Sequence, residues 1–192
     1  MFFSRTTLRA ACLKDLNLIS QTILHDAKNG HYSELYCTND EARRGLQVNL
    51  KSMIEHECRI NTVVKNNGLI NETLFSRIIT FEKGQKPIGF SIISSSDDPE
   101  HLEIWMFSIH NDFRNKGYGQ KVLNKLLKSI VKAYPEKDIV ARCFDSSKIM
   151  VNLLEKEGFI EDKASYADNE CDEFIVTRIS MKAHEYLSSI RN

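Results

Sequence analysis

A length of 192 residues favours one domain over residues 1–192 with a sizeable buried core. The 26 basic and 26 acidic side chains give a net charge of zero, so the overall charge does not favour nucleic acid or an anionic membrane as a partner. Residues 1–12 are too polar for a secretory leader and no apolar run is long enough to span a bilayer, so we expect a cytoplasmic protein that binds neither nucleic acid nor membrane.

The first quarter of the chain predicts a strand and two helices. Weak alternation indicates a strand over residues 7–11, and apolar residues recur at helical spacing from Asp15 onward. Thr38 and Glu41 have the spacing of a capping box, so a second helix is expected over roughly residues 40–57.

The middle of the chain predicts three strands. Residues 74–81 and 87–94 flank a Gly-containing turn and have the pattern of a β-hairpin. Residues 102–109 form a nearly continuous apolar run of strand length, which is typical of a strand covered on both faces. We expect this core strand in the centre of the sheet.

The last third predicts two helices and three strands. Apolar residues on one face indicate a long helix over 118–134, and residues 138–144 are strand-like. A shorter amphipathic helix follows and stops at Gly158. Two final strands are expected, one from Phe159 onward and one over 173–181. The complete order predicts an α/β fold with a mixed sheet of about seven strands flanked by about four helices.

The segment after the core strand has the composition of an anion site. It reads Ile109-His110-Asn111-Asp112-Phe113-Arg114-Asn115-Lys116-Gly117-Tyr118-Gly119-Gln120. A helix N-terminus binds anions because its first amides have no intrahelical acceptor and the helix dipole favours negative charge there. Gly117 and Gly119 allow close approach of the backbone to a phosphate, and Arg114 and Lys116 add positive charge.

Two common phosphate-binding patterns do not fit this segment. A P-loop requires GxxxxGK[ST], but Gly119 is followed by Gln120 and Lys121. A dinucleotide fingerprint requires GxGxxG, and the residue three positions after Gly119 is Val122. The remaining pattern is Arg-x-x-Gly-x-Gly.

This pattern resembles the signature of the GNAT superfamily of N-acetyltransferases, which is Gln/Arg-x-x-Gly-x-Gly/Ala after a central strand. Residues 109–114 are similar to the Val-x-Pro-x-(aromatic)-Arg lead-in of the family, with Asn111 in place of proline. Residues 8–15 resemble its opening strand and helix, and residues 153–159 resemble its last helix and the start of strand six. The resemblance covers nearly the whole chain and implies a GNAT-like fold.

The resemblance also implies that acetyl-coenzyme A is the co-substrate. The backbone amides of Ile109 and Asn111 would hold the pantetheine arm and polarise the thioester carbonyl. Ser147, at a position that is often Asn in relatives, would offer the cofactor a hydrogen bond. The cofactor-binding residues expected on this basis are Ile109, Asn111, Arg114, Asn115, Lys116, Gly117, Tyr118, Gly119, Gln120 and Ser147.

Members of this family transfer the acetyl group directly to an amine, so the ammonium form must first lose a proton. Glu103 resembles the base of the histone acetyltransferase branch and is the expected catalytic residue. Glu100, His101 and His110 are substitutes, as is a chain of water molecules. The family's usual acid, a Tyr four residues before the Gly-Phe pair, is Leu154 here, which leaves Tyr166 or solvent to protonate the thiolate.

The acceptor is left open by the sequence. The acidic residues Asp168, Glu170, Asp172 and Glu173 would suit a cationic amine, although a solvated turn is the favoured explanation because charge runs usually lie in water. We therefore expect a primary amine of a small molecule or protein as acceptor, and a monomer or homodimer. The alternative is a GNAT-fold protein that binds an acyl-coenzyme A for sensing or protein interaction and turns over weakly or not at all, as Leu154 suggests.

Cysteine spacing does not indicate a metal site or a disulfide framework. The five cysteines are scattered and form no Cys-x-x-Cys pair, so free thiols are expected. His56-Glu57-Cys58 has no second cluster at zinc spacing and is interpreted as the end of a helix, so no metal is assigned. Trp105 and Phe107 are expected to pack the sheet.

Overall fold

The computed structural model describes residues 5–65, 68–96, 98–161 and 176–190. They form a mixed sheet with helices on both faces. The strands are β1 (Thr6–Ala10), β2 (Cys58–Lys65), β3 (Gly68–Lys83), β4 (Lys86–Ser95), β5 (His101–Ile109), β6 (Asp138–Phe144), β7 (Ile160–Glu161) and β8 (Val176–Met181). The helices are α1 (Leu16–Lys28), α2 (Leu35–Thr38), α3 (Asp40–His56), α4 (Tyr118–Ala133), α5 (Lys148–Lys156) and α6 (Ala183–Ser189).

The strand order is β1-β3-β4-β5-β6-β8-β7, and β2 pairs with β3 beside this path. Only the β5–β6 pair is parallel among the strand pairs of the described residues. The predicted α/β fold with a central mixed sheet is confirmed. The structure adds three elements that the sequence analysis did not assign, namely β2, the one-turn helix α2 and the helix α6.

The start of α3 corrects the predicted capping box. Asn39, not Thr38, is the N-cap, and its side-chain oxygen accepts hydrogen bonds from the amides of Glu41 and Ala42 at 2.9 Å each. The Thr38 hydroxyl instead donates to the Glu34 carbonyl within α2. The helix still covers the predicted residues, because Asn39 is as good an N-cap as threonine.

Two apolar clusters fix the helices on opposite faces of the sheet. The first contains residues of α4, α5 and α6 together with Ile104, and the second contains residues of α1 and α3 together with Met106. The predicted face of α4 is buried in the first cluster through Val122, Leu123, Leu126, Leu127, Ile130 and Val131. Within the described residues, no helix is long and apolar enough to cross a membrane.

A β-bulge changes the direction of β5. In the pairing with β4, Ile92 lies opposite Met106 and Ile93 lies opposite Ile104, so Trp105 is an extra residue. The parallel pairing of β5 with β6 ends at Ile104 and Ala141. Beyond that point the two strands separate, and the gap between them opens toward the N-terminus of α4.

Gly89 keeps β4 close to the far end of β5. A Cβ atom at this position would lie 2.3 Å from the Ser108 carbonyl oxygen, which is part of the backbone and cannot rotate away. We expect Gly89→Ala to lower the free energy of unfolding by about 3 kcal/mol, measured by urea denaturation. Gly45→Ala, on the exposed face of α3 with no atom within 4 Å, is the control and should raise stability by up to about 1 kcal/mol. Equal effects of the two substitutions would contradict this interpretation.

Candidate active site

A cavity of about 620 Å³ occupies the gap between β5 and β6. Its volume lies within the range of ligand pockets in proteins. Its wall contains most of the residues that the sequence singled out. These residues are Glu103, Ile109, Arg114, Asn115, Gly117, Tyr118, Gly119, Gln120 and Ser147. Asn111 and Lys116 were also predicted as cofactor-binding residues, but they do not line the cavity.

The turn before α4 lines this cavity with Asn115, Gly117, Tyr118, Gly119 and Gln120. Asn115 and Gly117 have positive φ angles of 59° and 73°, a conformation that allows successive amides to converge on an anion. Gly117 is the N-cap of α4, so the amides of Tyr118, Gly119 and Gln120 belong to the first helical turn and have no intrahelical acceptor. The geometry therefore fits a pyrophosphate at the mouth of the cavity.

Gly119 leaves room on the cavity side of α4. A Cβ atom there would lie 3.5 Å from Leu153 Cδ1 on α5 and 4.0 Å from Ile109 Cγ1 on β5. These are ordinary van der Waals distances, so the protein itself tolerates a methyl group. A longer side chain would fill the space between β5, α4 and α5 that a phosphate would enter.

Arg114 makes contacts within the protein that the sequence did not predict. Its guanidinium contacts the end of β5, where Nε donates to the Ile109 carbonyl at 2.7 Å. Nη2 donates to Asp26 Oδ1 at 2.5 Å and to the Ser108 hydroxyl at 3.2 Å, and that hydroxyl donates to Asp26 Oδ2 at 2.5 Å. Asp26 on α1 is 4% exposed. The motif arginine therefore ties the turn to α1 and β5, and its charge is balanced by a carboxylate.

This network makes Asp26 a positioning residue for the turn. We expect Asp26→Asn to lower the free energy of unfolding by about 2 kcal/mol, less than the cost of breaking a fully buried pair because the Arg114 side chain is one-third exposed. If acetyl-coenzyme A is the co-substrate, as the resemblance implies, its KM should rise by about tenfold in steady-state kinetics. His25→Ala, which removes a half-exposed neighbour of Asp26, is the control and should change stability by less than about 0.5 kcal/mol. An unchanged KM in Asp26→Asn would show that the hydrogen bonds of Asp26 do not contribute to cofactor binding.

Three other predicted cofactor-binding residues have side chains that contact other groups of the protein. The Gln120 amide donates to Glu157, the residue that follows α5, and Lys116 Nζ donates to the Asp112 carbonyl at 2.6 Å. The Ser147 hydroxyl is 3.1 Å from Nδ1 of His31. At Gln120, the backbone amide is therefore the group available to a ligand.

The edge of β5 that faces the gap carries backbone amides beyond the end of the pairing with β6. The His110 amide donates to the Ile88 carbonyl of β4 at 2.8 Å, so the amides of Phe107 and Ile109 point to the opposite edge by strand alternation. The Ile109 carbonyl on that edge accepts from Arg114, and the Phe107 carbonyl accepts from the Tyr32 hydroxyl at 3.0 Å. A pantetheine arm lying along this edge would meet both amides.

Glu103 lies at the closed end of the gap, where β5 and β6 are still paired. Its carboxylate is buried, with 2% of the side chain exposed, and both oxygens accept from Arg142 at 2.8 Å. The sequence did not predict this bidentate partner. Of the substitute bases, Glu100, His101 and His110 do not line the cavity, and His101 lies 3.2 Å from Asp98.

The α5 residues that line the cavity include no tyrosine that could protonate the thiolate. Leu154, which stands in the family's tyrosine position, is fully buried in the core and does not line the cavity. Ile149, Met150 and Leu153 are the α5 residues that do. The side chains that α5 presents to the cavity are therefore all apolar, and none of them can act as a general acid.

The opposite wall comes from a segment in which the sequence showed no functional motif. The end of α1, α2 and the loop between them contribute Asp26, His31, Tyr32, Ser33 and Tyr36 to the cavity. Apart from hydrophobic spacing, these residues have no local signal in the sequence.

Trp105 and Phe107 both pack and line the cavity. The Arg59 guanidinium lies 4.3 Å from the centroid of the Trp105 ring, and the Phe107 ring packs against Phe81 with centroids 5.2 Å apart. Packing of the sheet was predicted for both residues. Their second role follows from the separation of β5 and β6, which exposes this part of the strand to the gap.

Several predictions concern residues outside the described ranges. Tyr166 and the acidic residues Asp168, Glu170, Asp172 and Glu173 lie there. The described cysteines, Cys12, Cys37, Cys58 and Cys143, are free thiols, and burial raises the pKa of Cys143 to about 12. Within the part of the chain that the structure describes, no three His, Cys, Asp or Glu residues form a metal-binding group.

Comparison with known proteins connects this geometry to one family. The model of the acetyltransferase (GNAT) family matches residues 55–159. The solved structure of spermidine N-acetyltransferase from Vibrio cholerae, in complex with CoA and spermine, is 19% identical with a TM-score of 0.65, over 96% of this chain and 99% of that chain. No protein with a curated description matches the chain.

Two further solved structures share the fold. A GNAT family acetyltransferase from Bacillus cereus is 13% identical with a TM-score of 0.57, over 93% of this chain and 97% of that one. The ribosomal-protein-S18-alanine N-acetyltransferase from Escherichia coli is 12% identical with a TM-score of 0.56, over 92% of this chain and 93% of that one. At these identities the likeness concerns the fold alone.

Proposed function

The chain belongs to the GNAT acetyltransferase family, and from this premise we propose that it transfers the acetyl group of acetyl-coenzyme A directly to a primary amine of a small molecule or protein. The observation that carries the proposal is the gap between β5 and β6. This gap is lined by the N-terminal turn of α4, with its positive φ angles, and by the buried carboxylate of Glu103.

The open edge of β5 supports the binding of a thioester. The turn at 115–120 would hold the pyrophosphate, and the amides of Phe107 and Ile109 would hold the arm that runs along the strand. A carbonyl oxygen that gains negative charge during attack is stabilised by amide donors fixed in place before the reaction. Phe107 lies between the turn and Glu103 in the chain, so an arm extending from the turn toward Glu103 passes it.

Glu103 is the proposed base for the amine. The ammonium ion of a primary amine has a pKa near 10, so a proton must be removed before the nitrogen can attack at neutral pH. Arg142 holds the carboxylate in one orientation through two hydrogen bonds. The carboxylate would accept the amine proton directly or through one water molecule, while the amine attacks the thioester carbon.

The test is thiol release from acetyl-coenzyme A in the presence of a panel of amines. The panel should include polyamines, aminoglycosides, amino acids, lysine peptides and peptides with an N-terminal alanine. We expect release that depends on both the acceptor and the enzyme, with an acetylated product identified by mass. Binding of coenzyme A without turnover on any acceptor would contradict the proposed reaction.

A second function is favoured by one observation, the apolar α5 face around Leu154. A protein that binds an acyl-coenzyme A for sensing or protein interaction needs the turn and the cavity but not a proton donor for the thiolate. Under this alternative, acetyl-coenzyme A would bind tightly by calorimetry and remain intact. Under the acetyltransferase proposal, the same binding is followed by turnover on at least one member of the panel.

A further inference from the structure

The departing thiolate needs a proton, and the α5 side of the cavity cannot supply it. The side chains that α5 presents to the cavity are apolar, and Leu154 is buried behind them. If the proposed function holds, the proton must come from another element or from water. The hydroxyl and thiol groups that line the cavity are therefore the relevant candidates.

Tyr32 is placed at the reacting part of the gap. Its hydroxyl donates to the Phe107 carbonyl at 3.0 Å, on the edge of β5 that β6 leaves unpaired. The same edge carries the Phe107 amide, which lies between the proposed phosphate turn and Glu103. A thioester held by that amide would therefore have its sulfur close to the Tyr32 hydroxyl.

The environment of Tyr32 keeps its hydroxyl protonated. Burial raises the pKa of this phenol, and the nearby Asp26 carboxylate raises it further. The Phe107 hydrogen bond and the Arg114 charge act in the opposite direction, and the Cys143 thiol of β6 has a small raising effect. The net direction is upward, so Tyr32 carries a proton at neutral pH.

The other candidates are less well placed. Ser147 is 3.1 Å from His31 at the mouth of the cavity. Tyr118 belongs to the phosphate turn, where its ring contacts Phe113 at a centroid distance of 6.3 Å. Tyr36 has no hydrogen bond to the β5 edge among the contacts of the described residues, and is therefore a suitable control.

We propose that Tyr32 is the general acid of the reaction and protonates the coenzyme A thiolate as it departs. This proposal rests on the proposed acetyl transfer. The amine nitrogen forms a bond to the acetyl carbon, the carbon–sulfur bond breaks, and its electron pair goes to sulfur. The Tyr32 hydroxyl proton moves to that sulfur, the amine proton moves to Glu103, and solvent returns a proton to Tyr32 and removes one from Glu103.

The leaving group provides the test, because a weakly basic thiolate departs without help. Tyr32→Phe and the control Tyr36→Phe are compared with the unchanged protein, using an acceptor found by the panel. Acetyl-coenzyme A is the first donor, and the acetyl thioester of an aryl thiol, whose thiolate is less basic, is the second. With acetyl-coenzyme A, Tyr32→Phe should lower kcat by a factor on the order of 100, with less than a threefold change in KM.

With the aryl thioester, the loss in Tyr32→Phe should shrink to less than fivefold. Tyr36→Phe should show the same ratio to the unchanged protein for both donors. An equal loss with both donors, or a change in KM alone, would overturn the proposal, because it would assign the Tyr32 hydroxyl to packing of the loop against β5. Thermal unfolding of each variant would show whether it is folded.

Failure of the acetyl-transfer proposal would give a different experimental result. In that case the unchanged protein releases no thiol on any acceptor, and the general-acid proposal falls with it. If the unchanged protein turns over and Tyr32→Phe is equally active with acetyl-coenzyme A, acetyl transfer stands and Tyr32 is excluded as the acid.

Discussion

Replacement of Glu103 by glutamine should lower kcat/KM at pH 7 by about 100- to 10,000-fold, the range expected for loss of a general base. At pH 9 the loss should be much smaller. The reason is that an amine whose ammonium ion has a pKa near 10 has roughly 100 times more free base at pH 9 than at pH 7. The measurement is a pH profile of kcat/KM for both proteins with one acceptor.

Glu103→Gln also removes one partner of an ion pair, so stability must be followed beside activity. The glutamine oxygen can still accept one hydrogen bond from Arg142, and the Arg142 side chain is half exposed. We therefore expect the free energy of unfolding to fall by about 2 kcal/mol, which leaves an ordinary domain folded. Urea denaturation at pH 7 and pH 9 would verify that the rate difference does not arise from unfolding.

Arg142→Lys is the matched control for the orientation of the carboxylate. Lysine keeps the positive charge but cannot donate the two parallel hydrogen bonds that the guanidinium provides. We expect an intermediate loss of kcat/KM, about tenfold at pH 7, which also becomes smaller at pH 9 because free amine no longer needs the base. A loss in Glu103→Gln that is equal at pH 7 and pH 9 would remove Glu103 as the base.

The elements that the sequence predicted well are those with local signals. The apolar stripe of α4, the continuous run of β5 and the glycine turn between them each depend on residues close together in the chain. The same locality explains the errors. The Thr38 capping box has the right spacing, but the neighbouring Asn39 makes the cap, and one residue is within the ordinary error of a boundary.

The contacts that define the site could not be predicted because they join distant parts of the chain. Asp26 and Arg114 are 88 residues apart, and Tyr32 and Phe107 are 75 residues apart. A motif identifies Arg114 but cannot show that a carboxylate of α1 neutralises it. In the same way, Leu154 indicated a missing acid, and only the packing of the α1–α2 segment against β5 brings Tyr32, the acid that we propose, to the cavity.

Lengthening the side chain at Gly119 tests the phosphate site directly. Gly119→Arg should raise the KM for acetyl-coenzyme A by at least about 100-fold, because it occupies the space between α4 and Leu153 and prevents backbone approach. Two lost hydrogen bonds to a charged phosphate, at about 1.5–3 kcal/mol each, account for a change of this size. The positive charge of the new side chain does not compensate if the backbone amides make the binding contacts.

Gly117→Ala is the control that separates the effect of backbone strain in the turn from the effect of a side chain that blocks the phosphate site. Its φ of 73° makes alanine unfavourable there by about 1 kcal/mol, but no atom lies within 4 Å of the added methyl group. We expect lower stability with a KM increase below tenfold, and Gly119→Ala should also remain below tenfold because its methyl group fits. If Gly119→Arg bound the cofactor as tightly as the unchanged protein, measured by calorimetry with coenzyme A, the phosphates would have to lie away from the α4 N-terminus.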